Sequence, residues 1–300
     1  MTTRSKGPSA GIDWLKHGIS VGFRHPKPIL GGAALLLLMV LLPSLITLPL
    51  QFHAASAGTP LSPTIFVAIM AGSMLIGLLI VPLYAGYLQV IDAAERGLPA
   101  RARDIFRPYA QGEALPLIGY GLALIAIYVA MIGIVIAAAG SGIATWYMQV
   151  LSAQAHHQPP PTSLPQGFGL AMVLFMVLGL FMLGFYSISL GQVALRRRGV
   201  FNAIGDGLLG ALKNLLPLLV LAVGLVAAWV IAVIAIAIVV VLLALLGKLV
   251  GAWLMLVIVI PLYIAMILIV FAIMFGVMYY LWRDVCGDDP APGMTEVIAA

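Results

Sequence analysis

The sequence predicts an all-α fold: a polytopic six-helix transmembrane bundle with short amphipathic interfacial helices on its cytoplasmic face. Three observations predict it. Of 300 residues, 63% are hydrophobic and 8% charged, where soluble domains carry roughly a quarter charged residues. Mean hydropathy is +1.15. The apolar residues also gather into six runs, about 29–50, 64–91, 114–148, 168–194, 215–247 and 252–282, each long enough for the roughly 20 residues that a helix needs to cross the hydrocarbon. The runs are continuous rather than alternating, which argues against a β-barrel. Helices also satisfy their own backbone groups, as lipid requires.

The runs divide the chain into a cytoplasmic N-terminal segment with an amphipathic helix (1–28), a six-span domain (29–282) and a cytoplasmic tail (283–300). In the first segment Ile12, Leu15, Ile19 and Phe23 share one helical face, opposed by Asp13, Lys16, Ser20 and Arg24. That is the pattern of a helix lying in the membrane interface. Ala55-Ser56-Ala57 matches a small-residue cleavage site after the first run. The run exceeds the roughly 7–15 residues of a signal peptide, however, and a polar-rich stretch precedes it, so an uncleaved span is expected. Arg103-Asp104-Ile105-Phe106-Arg107, stopped by Pro108, is a shorter amphipathic stretch. Before the fifth span, Phe201, Ile204, Leu208, Ala211 and Leu215 form a second apolar stripe, against Asn202, Asp206 and Lys213.

Charge sets the orientation. All fifteen basic residues except Lys248 fall in the N-terminal segment, in the connections after spans two and four, or after span six. The positive-inside rule places that side, and both termini, in the cytoplasm. The acidic residues lie there too, with Asp92, Glu95 and Glu113 at span ends where solvation is cheap. Basic residues that border spans meet lipid headgroups rather than nucleic acid. Arg96, Arg101, Arg103, Arg196, Arg197 and Arg198 are the candidates for headgroup contact.

Each short helix leads to a proline entering a span: His25-Pro26-Lys27-Pro28, Ala114-Leu115-Pro116 and Leu215-Leu216-Pro217. Proline suits a first helical turn, where its missing N–H costs nothing. The pattern reads as three units of interfacial helix plus transmembrane hairpin, beginning near residues 12, 101 and 200. Pro82 and Pro261 fall inside spans and are expected to kink them. Gly119 with Ala123, Gly133 with Ala137 and Gly140 with Ala144 permit close packing of the third span. Trp14, Tyr84, Tyr87, Tyr280 and Trp282 are expected in a cytoplasmic-side aromatic belt, and Trp146, Tyr147 and Trp253 in the opposite one. Trp229, near the middle of span five, is expected to pack against a neighbouring helix.

Phe23-Arg24-His25-Pro26, Ala94-Glu95-Arg96-Gly97 followed by Ile105-Phe106, and Ala211-Leu212-Lys213-Asn214-Leu215-Leu216-Pro217 are similar to motifs of an uncharacterised proteobacterial six-span inner-membrane family. More loosely, the layout resembles the membrane domain attached to some glycerophosphodiester phosphodiesterases. The resemblance implies six helices in the inner membrane and carries no catalytic residues.

Catalytic chemistry finds no pattern to stand on. No Asp, Glu, Lys, Arg or His lies inside the six runs, which argues against a proton-driven pump. Gln89 and Gln192, near the cytoplasmic ends of spans two and four, are candidates for a shared polar vestibule or for interhelical hydrogen bonds. His156-His157 lacks the further ligands a metal site needs, and Cys286, the single cysteine, has no histidine beside it. The expectation is a non-catalytic membrane protein without cofactor or metal, binding lipids or a membrane-protein partner. A permease or lipid-translocating protein for a neutral or amphiphilic substrate, and an assembly factor of an inner-membrane complex, are the alternatives.

Overall fold

The computed structural model describes residues 3–56, 63–155, 158–159, 161–250 and 253–287, and all regular structure among them is helical. The helices are α1 (Ala10–Arg24), α2 (Pro26–Ser56), α3 (Pro63–Glu95), a 3-10 turn (Ala102–Phe106) running into the short α4 (Arg107–Ala110), α5 (Ala114–Ala139), α6 (Gly142–Ala155), α7 (Phe168–Arg196), α8 (Val200–Lys213), α9 (Leu215–Val250) and α10 (Trp253–Cys286). Six of them, α2, α3, α5, α7, α9 and α10, are long and apolar enough to cross a membrane. The third predicted run, 114–148, is two helices. Gly140 turns the chain at φ 80° between α5 and α6, a backbone region in which glycine meets no Cβ penalty.

The packing is cyclic. The second helices of the three hairpins, α3, α7 and α10, touch one another at the centre. Each first helix packs on its own hairpin partner and also on the inner helix of the preceding unit: α5 on α3, α9 on α7, and α2 on α10. The short helices follow the same rule. The 3-10 turn sits on α2 and α3, α8 on α7 and α5, and α1 closes the circle on α9 and α10. Pro28, Pro116 and Pro217 are each the third residue of their helix. The three units read from the sequence thus make the same set of neighbour contacts in a closed cycle.

Glycine makes the short helices fit. A Cβ on Gly276 of α10 would lie 2.8 Å from the Gly18 carbonyl oxygen of α1, so these helices meet backbone to backbone. On α3, a Cβ at Gly86 would overlap the carbonyl of Ile105 in the 3-10 turn, and one at Gly207 of α8 would come within 2.9 Å of the Phe185 carbonyl of α7. Close approach at small residues maximises dispersion contact where lipid offers no hydrophobic drive between helices. The pairs expected on span three do not do this: Gly119, Gly133 and Gly140 have open space where a Cβ would stand.

The inward face of α1 is therefore Gly11, Trp14, Gly18 and Val21, and that of α8 is Ala203, Asp206, Gly207, Gly210 and Ala211. The stripes read from the sequence turn outward only in part: Leu15 and Ile204 pack against the core and Ala211 is fully buried. Phe23 is 72% and Phe201 86% exposed, with Ile12 and Leu208 also exposed. Trp14, Tyr87, Tyr280 and Trp282, expected in an aromatic belt, are instead buried between helices at the basic end of the bundle, because the short helices cover them. Trp229 faces outward, 67% exposed, rather than into a helix contact.

Candidate functional site: a ring of paired carboxylates at the basic end

At the basic end each junction between units is tied by a carboxylate. At the junction of α10, α1 and α3, the Tyr280 hydroxyl donates to Glu95, Arg24 Nη1 lies 3.3 Å from Glu95 Oε2, and His25 Nε2 lies 3.6 Å from Oε1. Arg24 Nη2 also donates to the Tyr280 hydroxyl at 2.7 Å. The neighbouring Asp92 Oδ1 accepts from Tyr279 at 3.0 Å and from Arg96 Nε at 2.9 Å. That carboxylate holds the exposed Arg96 guanidinium above its ordinary pKa. Glu95, expected to be solvated, has a side chain only 5% exposed. The cost of removing it from water is offset in part at Oε2, where Tyr280 and Arg24 converge; the buried Oε1 has no hydrogen-bond donor.

At the junction of α7, α8 and α10 the acid is Asp206, also buried. Its Oδ2 accepts from Gln192 Nε2 at 2.8 Å and lies 3.0 Å from Arg198 Nε. Trp282 packs over Gly191, where no side chain could stand, and the Arg196 guanidinium lies 5.9 Å from the centre of its ring. At the junction of α3, α5 and α7, Glu113 takes that role: Gln89 Nε2 donates to it at 3.1 Å and to the Ala194 carbonyl at 3.0 Å, and Arg197 Nη2 lies 2.5 Å away. Arg197 ends α7 in the left-handed region at φ 51°, uncommon for a residue with a Cβ. That turn brings it onto Glu113.

The chain ahead of α1 is strapped across this end. Asn214 accepts from the Lys6 amide at 2.8 Å and donates to the Arg4 carbonyl at 2.9 Å, as a paired strand would. Lys213 Nζ donates to the Thr3 carbonyl at 3.1 Å. Asp284 of α10 accepts from Trp14 Nε1 at 3.0 Å and pairs with Lys6 at 2.5 Å.

The candidates read from the sequence divide accordingly. Gln89 and Gln192 bond to different carboxylates, and Gln89 lines a cleft of about 240 Å³ with Asp92, Arg107, Gln111 and Arg197. Of the headgroup candidates, Arg96, Arg197 and Arg198 pair with Asp92, Glu113 and Asp206, and Arg196 lies on Trp282. Arg101 and Arg103 are exposed without an ion pair among the described residues. His156-His157 lies outside the described residues, and among those described no three His, Cys, Asp or Glu side chains come together. Sequence reasoning missed Asp206, Tyr279, Tyr280 and Asn214 as ring members. A polar residue just ahead of each span-entering proline (His25, Glu113, Asn214) was the available signal.

The six spans define the chain as a multi-pass integral membrane protein. No family model, curated protein or solved structure matches it.

Proposed function

We propose that this is a non-catalytic protein of a bacterial inner membrane, with both ends of the chain in the cytoplasm, that binds membrane lipid at its basic end. One observation carries the reading. The outward stripes of α1 and α8, with Phe23 and Phe201 at their tips, lie at the same end as the exposed Lys16, Lys27, Arg101, Arg103 and Arg107. Apolar side chains beside unpaired cations match the boundary between acyl chains and anionic headgroups.

The test is extraction into native-lipid particles and mass spectrometry of what copurifies. Arg101→Gln with Arg103→Gln should lower the anionic lipid retained by about twofold or more, each cation near the surface being worth about 1 kcal/mol. Unchanged retention overturns the reading. A stoichiometric protein in the particles would replace it with an assembly role.

A further inference from the structure

The three junctions at the basic end are equivalent in packing but not in filling. At α10, α1 and α3 the space is occupied by Tyr280, with the His17 ring 4.9 Å from it and Glu95 beneath. At α7, α8 and α10 it is occupied by Gln192, Asp206 and Trp282. In both places the covering helix is 14 or 15 residues long. At α3, α4 and α7 the cover is a five-residue 3-10 turn and the four-residue α4, too short to close the junction. A cleft of about 240 Å³ stays open there.

Its lining is mixed in sign. Arg107 is exposed and makes no ion pair among the described residues. The Arg197 side chain is 72% exposed, with Nη2 placed on Glu113 and the rest of its five-donor fork available. On the opposite wall Asp92 follows Gln89 by three residues, on the same face of α3; its Oδ1 already holds Arg96 and Tyr279, with Oδ2 outside those bonds, and Gln89 Oε1 is a buried acceptor without a donor. Leu98 and Leu195 complete the lining with apolar surface. A simple anion would meet Asp92, and a simple cation would meet two guanidinium groups.

We infer that the cleft between α3, α4 and α7 binds the headgroup of an aminophospholipid, with the phosphate on Arg107 and Arg197 and the primary ammonium on Asp92 and Gln89. The inference rests on the lipid-binding reading and narrows it to one headgroup class at one junction.

The test uses the full chain, delipidated in detergent, and short-chain phosphatidylethanolamine, phosphatidylcholine and phosphatidylglycerol. Phosphatidylethanolamine should bind about tenfold or more tightly than either of the others, because choline has no N–H to donate, glycerol no charge, and a charged hydrogen bond is worth about that factor. Gln111→Trp, at the exposed mouth, should remove the preference while melting temperature and helicity stay unchanged. If the bulky side chain disturbs folding, Arg107→Gln on the exposed α4 should weaken phosphatidylethanolamine binding by a similar factor. Soluble phosphoethanolamine should compete, and inorganic phosphate at the same concentration should not. Equal affinity for the three lipids, an unchanged preference in a folded Gln111→Trp or Arg107→Gln variant, or equal competition by phosphate overturns the cleft assignment alone. Native-lipid particles that retain no phospholipid overturn the broader lipid-binding reading with it.

Discussion

The basic half of the bundle and its apolar half are built from the same six helices by different rules. In the basic half, α3, α7 and α10 bury nearly every side chain over their last turns, from Tyr87 to Ile91, Phe185 to Ala194 and Phe275 to Trp282. Ion pairs and glycine contacts cross every junction there. In the apolar half the same helices turn Leu75, Met176, Ile260 and their neighbours outward, and none of the most apolar window of α9 is buried. Specific packing belongs to one half; the other half is length and hydropathy. Lipid tails are as apolar as leucine, so an outward leucine loses nothing at the apolar end. At the basic end, polar groups inside protein need named partners.

Substitutions at glycine break the comparison most sharply. Gly18→Leu should destabilise the bundle by about 3 kcal/mol, because a Cβ there lies 2.7 Å from the Val277 amide. Gly72→Leu or Gly133→Leu, in open space, should change the detergent melting curve by no more than about 0.5 kcal/mol. Equal losses at both ends would sink the distinction.

Glu95→Ala should come next, at about 2 kcal/mol. It strands Arg24 and the Tyr280 hydroxyl, but Arg24 is 45% exposed and recovers part of its hydration, so the loss falls short of the roughly 3–5 kcal/mol of a fully buried pair. Thermal unfolding of Glu95→Gln beside it separates charge from shape, since the amide still accepts from Tyr280. The smallest effect is expected for Tyr120 and Ser189. Ser189 Oγ gives its proton to the Phe185 carbonyl at 2.6 Å, leaving Tyr120 to donate to it at 2.7 Å. A double-mutant cycle with Tyr120→Phe and Ser189→Ala should return a coupling near about 0.6 kcal/mol, the usual worth of such bonds in membrane proteins.

Spans, their number and the threefold repetition were legible in the sequence, because hydropathy and the entering prolines are local properties. Burial at the basic end was not. Asp206 sits opposite an apolar stripe and reads as a solvated residue; only the docking of α8 by its small face turns that side inward. Trp282 and Tyr280 read as interfacial for the same reason. The working glycines, at 18, 86, 207 and 276, were hidden among the chain's 32, since a glycine's role depends on which backbone arrives opposite it. The open cleft is a difference in length between covering helices, visible only once the three junctions are compared.

The closing of the circle by α1 on α10 also has a consequence in time. Trp14 and its partner Asp284 are 270 positions apart, and at roughly 5–20 residues per second the ribosome needs about 15–50 s to deliver the second after the first. Throughout that interval α1 lacks α10, the partner that meets Gly18. The contact between α1 and α10 therefore forms only after every other span has been made.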